Sequence, residues 1–254
     1  MLDVKGLTVR CGSKIIVDDI SFQVNSGDWI MVVGPNGAGK STIINAISQG
    51  IEYEGEICWN NISIKKQKPY EMAKSIGVLL QKYFVGYAFS VEEVISLGRY
   101  AHRKGIFSTV DSKDEEHINK ALAATGLQDK RKQSVLTLSG GELQRTFLAQ
   151  VIAQNPTLLM LDELTNHLDL QYQKQVFELL SQWLHESGRM ILSVVHDLSL
   201  ARAYGTKVIL IEGGKCVMQG PSQEVLNRKT LKKAYNIDVV DWMQTMLSQW
   251  NDTE

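Results

Sequence analysis

The sequence predicts an α/β fold with a mainly parallel sheet covered by helices on both faces and a helical block inserted into it. Three observations predict it. Apolar runs at 29–33, 157–161, 190–195 and 208–211 alternate with helical periodicity over 170–186 and 198–204. The N-terminal residues instead carry short, β-branched, alternating stretches. From Val91 to about Gln154 the pattern is almost wholly helical.

Taken in order, Leu7-Thr8-Val9, Lys14-Ile15-Ile16-Val17 and Ile20-Ser21-Phe22-Gln23-Val24 read as short strands. Gly12-Ser13 and Asn25-Ser26-Gly27-Asp28 supply the turns. Trp29-Ile30-Met31-Val32-Val33 is a buried strand, and a helix is expected over 42–48. Glu56-Ile57-Cys58-Trp59 and Ile76-Gly77-Val78-Leu79-Leu80 are further strands. Val91, Val94, Ile95 and Leu97 mark one helix, and a second covers 114–125 with Gly126 as its stop. In the tail, Trp242, Met246 and Trp250 recur at four-residue spacing, which predicts packing against the body or a partner rather than a cofactor role.

The chain has 254 residues, 44% hydrophobic and 22% charged, enough to bury a core. A net charge of −1 provides no global attraction to nucleic acid or acidic lipid. Lys65-Lys66-Gln67-Lys68 and Lys130-Arg131-Lys132 read as solvated charges. Cys11, Cys58 and Cys216 lie far apart without metal spacing, as expected of reduced thiols in a cytosolic protein. The N-terminus lacks the pattern of a signal peptide, and no apolar window is long enough to span a bilayer.

Between the strand at 29–33 and the helix after it stands Gly34-Pro35-Asn36-Gly37-Ala38-Gly39-Lys40-Ser41-Thr42. Strand, glycine loop and helix make a cradle for the phosphates of a nucleoside triphosphate. Glycine lets backbone N–H groups wrap the anion, and the helix N-terminus favours negative charge. Lys40 would reach the β- and γ-phosphates, and Ser41 would offer a hydroxyl to Mg²⁺. The strand Leu158-Leu159-Met160-Leu161 ends in Asp162-Glu163. Side chains alternate along a strand, so the two carboxylates divide the work: Asp162 to the metal, Glu163 to the attacking water. Leu138-Ser139-Gly140-Gly141-Glu142 starts a second helix able to meet an anion.

This set resembles the nucleotide-binding subunit of an ATP-binding cassette transporter over about residues 2–240. Residues 34–42 match the family's Walker A loop, residues 158–163 its Walker B strand and residues 138–142 its signature. Gln81 matches the Q-loop, Thr165-Asn166-His167-Leu168-Asp169 the D-loop and His196 the switch histidine. The resemblance implies a P-loop, RecA-like core at about 1–82 and 156–225, with an N-terminal antiparallel β subdomain and a helical subdomain inserted at about 83–155. A C-terminal extension follows over 226–254. It implies ATP hydrolysis with Mg²⁺ held by Ser41, Gln81 and Asp162. Glu163, His196 and Gln81 are the catalytic residues. Ser139, Gly140, Gly141, Glu142 and Asp169 join the nucleotide site with the loop.

In that family two copies pair head to tail around ATP, and the signature of one caps the γ-phosphate of the other. Gln81 and the residues after it, with Tyr83, Phe84, Tyr87 and Phe89, would receive an integral-membrane permease, and no nucleic acid is involved. Two departures stand out. Cys11 occupies the usual place of an aromatic ring that stacks on adenine, so Arg10 is a candidate substitute. Leu164 replaces the proline that usually follows the catalytic glutamate, which removes a fixed backbone angle.

The stretch from Val91 to His102 and the ending Gly220-Pro221-Ser222-Gln223-Glu224-Val225-Leu226 are similar to ATPases of importers for iron–siderophore, haem and cobalamin. Those work at the cytoplasmic face of the membrane, with an extracytoplasmic binding protein. An ATPase of another importer class, such as zinc or manganese, is the alternative, with a non-transport cassette behind it.

Overall fold

The computed structural model describes residues 1–81, 86–103, 111–165 and 168–250. In chain order it begins β1 (Leu2–Cys11), β2 (Lys14–Val24), β3 (Trp29–Val33), α1 (Lys40–Ile47), β4 (Glu54–Trp59) and β5 (Ile62–Ser63). Then come α2 (Pro69–Met72), β6 (Ile76–Leu79), α3 (Val91–Leu97), α4 (Ser112–Ala124), α5 (Gly140–Ala153) and β7 (Leu158–Asp162). It continues with α6 (Leu170–Leu184), β8 (Met190–Val194), α7 (Leu198–Tyr204), β9 (Lys207–Glu212) and β10 (Lys215–Pro221). The last helices are α8 (Ser222–Val225), α9 (Arg228–Tyr235) and α10 (Val239–Ser248). The chain divides into two compact units: residues 1–24, 28–64 and 194–254, and residues 25–27 and 65–193.

The first unit contains an antiparallel sheet in the order β2-β1-β4-β5. β1 and β2 pair from Leu2↔Val24 to Cys11↔Lys14, closed by the Gly12-Ser13 turn. Alternation buries Leu2 and Val4, and after a register shift between Val4 and Leu7, where Gly6 has a φ of 59°, it buries Leu7 and Val9. The two short strands expected over 14–24 are one strand, because Asp19 takes a positive φ of 51° and lets pairing continue past Asp18. β3 runs parallel to β9, Ile30↔Lys207 to Val33↔Leu210, and β10 returns antiparallel along β9. All five residues of β3 are buried, as a strand covered on both faces requires.

Of the two expectations for the tail, packing against the body is not met within this chain. In α10 only Val239 is buried, whereas Trp242, Met246 and Trp250 stay 55%, 47% and 76% exposed within this chain.

In the second unit β6 and β7 are parallel, with Ile76↔Leu158 and Leu79↔Leu161 in register, and β8 lies beside β7. α5 presses on β6 so closely that a Cβ on Gly77 would lie 2.6 Å from a Val151 methyl. α3, α4 and α5 share a core of Val91, Val94, Ile95, Ile118, Ala121, Leu122, Leu127, Val135, Ala149 and Ala153. Arg99 is buried against it, its Nε 2.8 Å from Asp114 Oδ1 and its Nη1 2.9 Å from the Ala153 carbonyl. A buried charge is tolerated only with such partners.

The basic run at 130–132 is not simply solvated. Lys130 lies 2.9 Å from Glu142, and Arg131 lies 2.5 Å from both Glu92 and Glu115. Lys132 also pairs with Glu92.

Candidate nucleotide site

The first unit holds the glycine loop and His196. The loop leaves β3 at Gly34, whose φ is 149°. A Cβ there would fall 2.0 Å from the Ile211 carbonyl oxygen, so only glycine fits. The phenol of Tyr235, on α9, has a hydrogen bond with the Gly34 backbone, and burial pushes that phenol up to about 12. Lys40 is buried, and its ammonium donates to the Gly34 and Pro35 carbonyls at 2.9 Å each.

Gly39 ends the loop in a left-handed conformation, φ 94°, and serves as N-cap of α1. No side chain caps that helix, and no acidic residue stands in its first turn. An α-helix leaves its first N–H groups without intrahelical partners, so this N-terminus suits an anion. Those features fit the phosphates of a nucleotide.

The start of β2 leans on the same loop. The Ile16 carbonyl oxygen is only 2.6 Å from where a Gly39 Cβ would stand. Cys11, the last residue of β1, is exposed. Arg10, the candidate substitute for the missing ring, is instead drawn to Glu54, with Nε 2.9 Å from Oε1. Within the same unit Val195 N–H donates to Val32 O of the loop's own strand at 3.2 Å. His196 follows and is exposed, and Asp197 then caps α7 by accepting from Ser199 and Leu200 at 2.7 and 3.2 Å.

The second unit carries the remaining site residues. Asp162 is the buried last residue of β7, and Glu163 turns away with φ 54°. A left-handed glutamate costs about 1–3 kcal/mol and persists only where the surroundings impose it. Gln81, two residues beyond β6, donates through Nε2 to Glu163 Oε2, so the structure brings these two together. Gln81 Oε1 and the Asp162 carboxylate are oxygen ligands of the kind Mg²⁺ takes.

The signature residues form the start of α5. Ser139 is its N-cap, accepting from Glu142 N–H at 3.3 Å, while Glu142 Oε2 accepts from Ser139 N–H at 2.9 Å. The spacing Ser-x-x-Glu is a capping-box pattern visible in the sequence, but the reading above did not use it. Lys130 beside Glu142 and the Ser139 N–H hold its carboxyl down to about 2. Glu142 therefore shapes the helix start, while Ser139 and Gly140 stay exposed at its tip.

Asp169 likewise caps α6, accepting from Tyr172 N–H at 2.9 Å. Asn166 and His167 of the D-loop-like segment lie outside the described residues, as do Tyr83 and Phe84 of the aromatic cluster. Tyr87 and Phe89 of that cluster are exposed, with ring centroids 6.0 Å apart.

Sequence reasoning missed Gln144, whose amide reaches the backbone next to Glu163, and Tyr235. A single glutamine in an amphipathic helix carries no periodic signal, and the tyrosine lies about two hundred residues from the loop it meets.

The family pattern described as ABC transporter matches residues 17–166. The hemin import ATP-binding protein HmuV of Pseudomonas entomophila (strain L48) is 36% identical over 246 residues, 94% of each chain. The ferric enterobactin transport ATP-binding protein FepC of Escherichia coli (strain K12) is 33% identical over 232 residues, 91% of this chain and 85% of its own. The chain spans 54% of the length of a longer Bacillus subtilis relative that it matches at 33% identity. The dimeric structure of MJ0796, a bacterial ABC transporter cassette, is similar with a TM-score of 0.77 at 25% identity, covering 87% of this chain and 99% of that one. Among the described residues no helix is long and apolar enough to cross a membrane.

Proposed function

The chain belongs to the ABC transporter family, and from that premise we propose that it is the ATP-hydrolysing subunit of an importer for an iron–siderophore, haem or cobalamin-type cargo. It acts as a head-to-tail dimer of two copies. It docks on separate integral-membrane subunits at the cytoplasmic face and is served by an extracytoplasmic binding protein. The observation that carries the reading is the glycine loop that runs into an uncapped helix start, with the Lys40 ammonium folded onto it. The cargo class rests on the likeness to proteins named for import of hemin and transport of ferric enterobactin.

In this reading the residues divide the work as follows. The N–H groups of residues 34–42 hold the phosphates. The Lys40 ammonium faces the β- and γ-phosphates from its place at the mouth of the loop. Ser41, Gln81 and Asp162 would hold Mg²⁺, which would supply positive charge against the phosphates. Glu163 orients the attacking water and accepts its proton, and His196 contacts the γ-phosphate. Ser139 and Gly141 of the second copy close over that phosphate, so binding favours a closed dimer and hydrolysis releases it. Tyr87 and Phe89 present apolar surface for the membrane subunit.

Glu163→Gln is the test. With Mg-ATP it is expected to accumulate a dimer on size exclusion and to lose turnover, while Lys40→Ala loses nucleotide affinity. A Glu163→Gln protein that stays monomeric in ATP, or hydrolyses at the parental rate, would overturn the assignment. Co-purification of the membrane subunits, followed by uptake of a ferric siderophore or haem, tests the cargo class. Uptake of zinc or manganese instead would refute it.

A further inference from the structure

We infer that Gln144 is a positioning residue for the catalytic carboxylate. Its amide, on the first turns of α5, clamps the backbone that follows Glu163 and so aims that side chain. The clamp is direct: Gln144 Nε2 donates to the Leu164 carbonyl oxygen. The side chain is 93% buried by this placement, and its Oε1 is also buried without a partner among the described residues. An amide that leaves one of its two ends unpaired inside the protein is a poor stabiliser, because a buried polar atom without a hydrogen bond is costly. The bond it does make is therefore best explained by where it is made.

Glu163 needs such a restraint. It sits in a left-handed backbone conformation, φ 54°, that a glutamate does not adopt unaided. Leu164, which follows it, does not fix its own backbone angle as a proline would. The structure substitutes two other restraints. The Leu164 side chain is 6% exposed and so anchored in the core, and Gln144 holds its carbonyl. On the other side the Gln81 amide donates to the Glu163 carboxylate. The carboxylate is thus held at its tip by Gln81 and at its root by Gln144. Gln144 stands on the same helix that Ser139 caps, so a displacement of the signature end of α5 is carried to Leu164 through one rigid element.

This inference rests on the reading of Glu163 as the residue that activates water. The test is ATP hydrolysis by the whole 254-residue chain with Gln144→Met, which keeps the length of the side chain and removes the donor. The expected result is a fall in kcat of about 10- to 100-fold, the loss that misplacing a reacting group produces. KM, equilibrium ATP affinity and the thermal midpoint stay close to the parental values. Introduced into Glu163→Gln, the same substitution is expected to remove nothing further from the single-turnover rate, since its effect passes through that carboxylate.

Parental kcat in Gln144→Met overturns the inference, as does a loss confined to KM or a loss that adds fully to that of Glu163→Gln. If Gln144→Met does not fold, Gln144→Asn, whose amide falls one methylene short of Leu164, carries the same expectations. Parental turnover in Glu163→Gln alone would instead show that the underlying reading of Glu163 has failed.

Discussion

Replacing Gly37 and Gly39 separately by alanine measures how hard the start of β2 presses on the phosphate loop. Both glycines have positive φ, 76° and 94°, so each alanine carries left-handed strain of about 1–2 kcal/mol. Only one carries a collision. Around Gly37 nothing lies within 4 Å of the added Cβ. At Gly39 the Cβ would sit 2.6 Å from the Ile16 carbonyl oxygen and 3.2 Å from a Val17 methyl, where ordinary contact begins at 3.4 Å. The closer atom is backbone, so no side chain can swing aside. Either β2 or the loop must move, at a further cost of about 1–3 kcal/mol.

Gly37→Ala should then lose about 1–2 kcal/mol and Gly39→Ala about 2–5 kcal/mol. For a chain of this size each kcal/mol lowers the thermal midpoint by roughly 2–4 °C. The assay is calorimetric or circular-dichroism melting of the nucleotide-free proteins, so that lost ATP contacts do not enter the comparison. Equal losses in the two variants, or a larger one for Gly37→Ala, would refute the argument that β2 bears on Gly39.

Two further predictions concern the base and the signature. Cys11→Tyr should tighten ATP binding by roughly 2- to 10-fold, the value of one aromatic stacking contact, because Cys11 is exposed and Arg10 is committed to Glu54. Titration calorimetry with ATP checks it, and unchanged affinity would mean that another group already meets the adenine. Glu142→Gln should cost about 1–2 kcal/mol at neutral pH through the weakened cap and the lost pairing with Lys130. The sign with pH follows from a carboxyl held down to about 2 in the folded chain against 4.5 as its ordinary value. Its contribution is present above pH 4.5 and is lost as pH falls toward 2. The gap in melting temperature between parent and variant should therefore close over that window, and a gap that stays constant with pH would count against the pairing.

The strands were legible where burial makes a pattern. The apolar runs of β3 and β7 and the middle of β1 stood out, as did the helix limits at Leu198 and Tyr204. The single strand from Lys14 to Val24 was not, because Asp18-Asp19 has turn-like composition and only pairing with β1 on either side carries the strand through the left-handed Asp19. The tail was half legible: four-residue spacing shows that Trp242 and Met246 share a helix face, but not what the face meets. For the same reason the pairing of Arg10 with Glu54, 44 residues away, left no mark in the local sequence.

The sequence by itself determined the groups whose partners are chain neighbours. These are the glycine loop opening into α1, the carboxylates ending β7 and the Ser139–Glu142 cap on α5. Their geometry follows from local backbone sterics and hydrogen bonds a few residues long. Tertiary structure alone decided that Gln81 meets Glu163 across 82 residues, and that Gln144 meets Leu164 across 20. Those meetings depend on β6 pairing with β7 and on α5 lying against β6, and no short-range rule in the chain encodes which side chains such packing brings within a hydrogen bond.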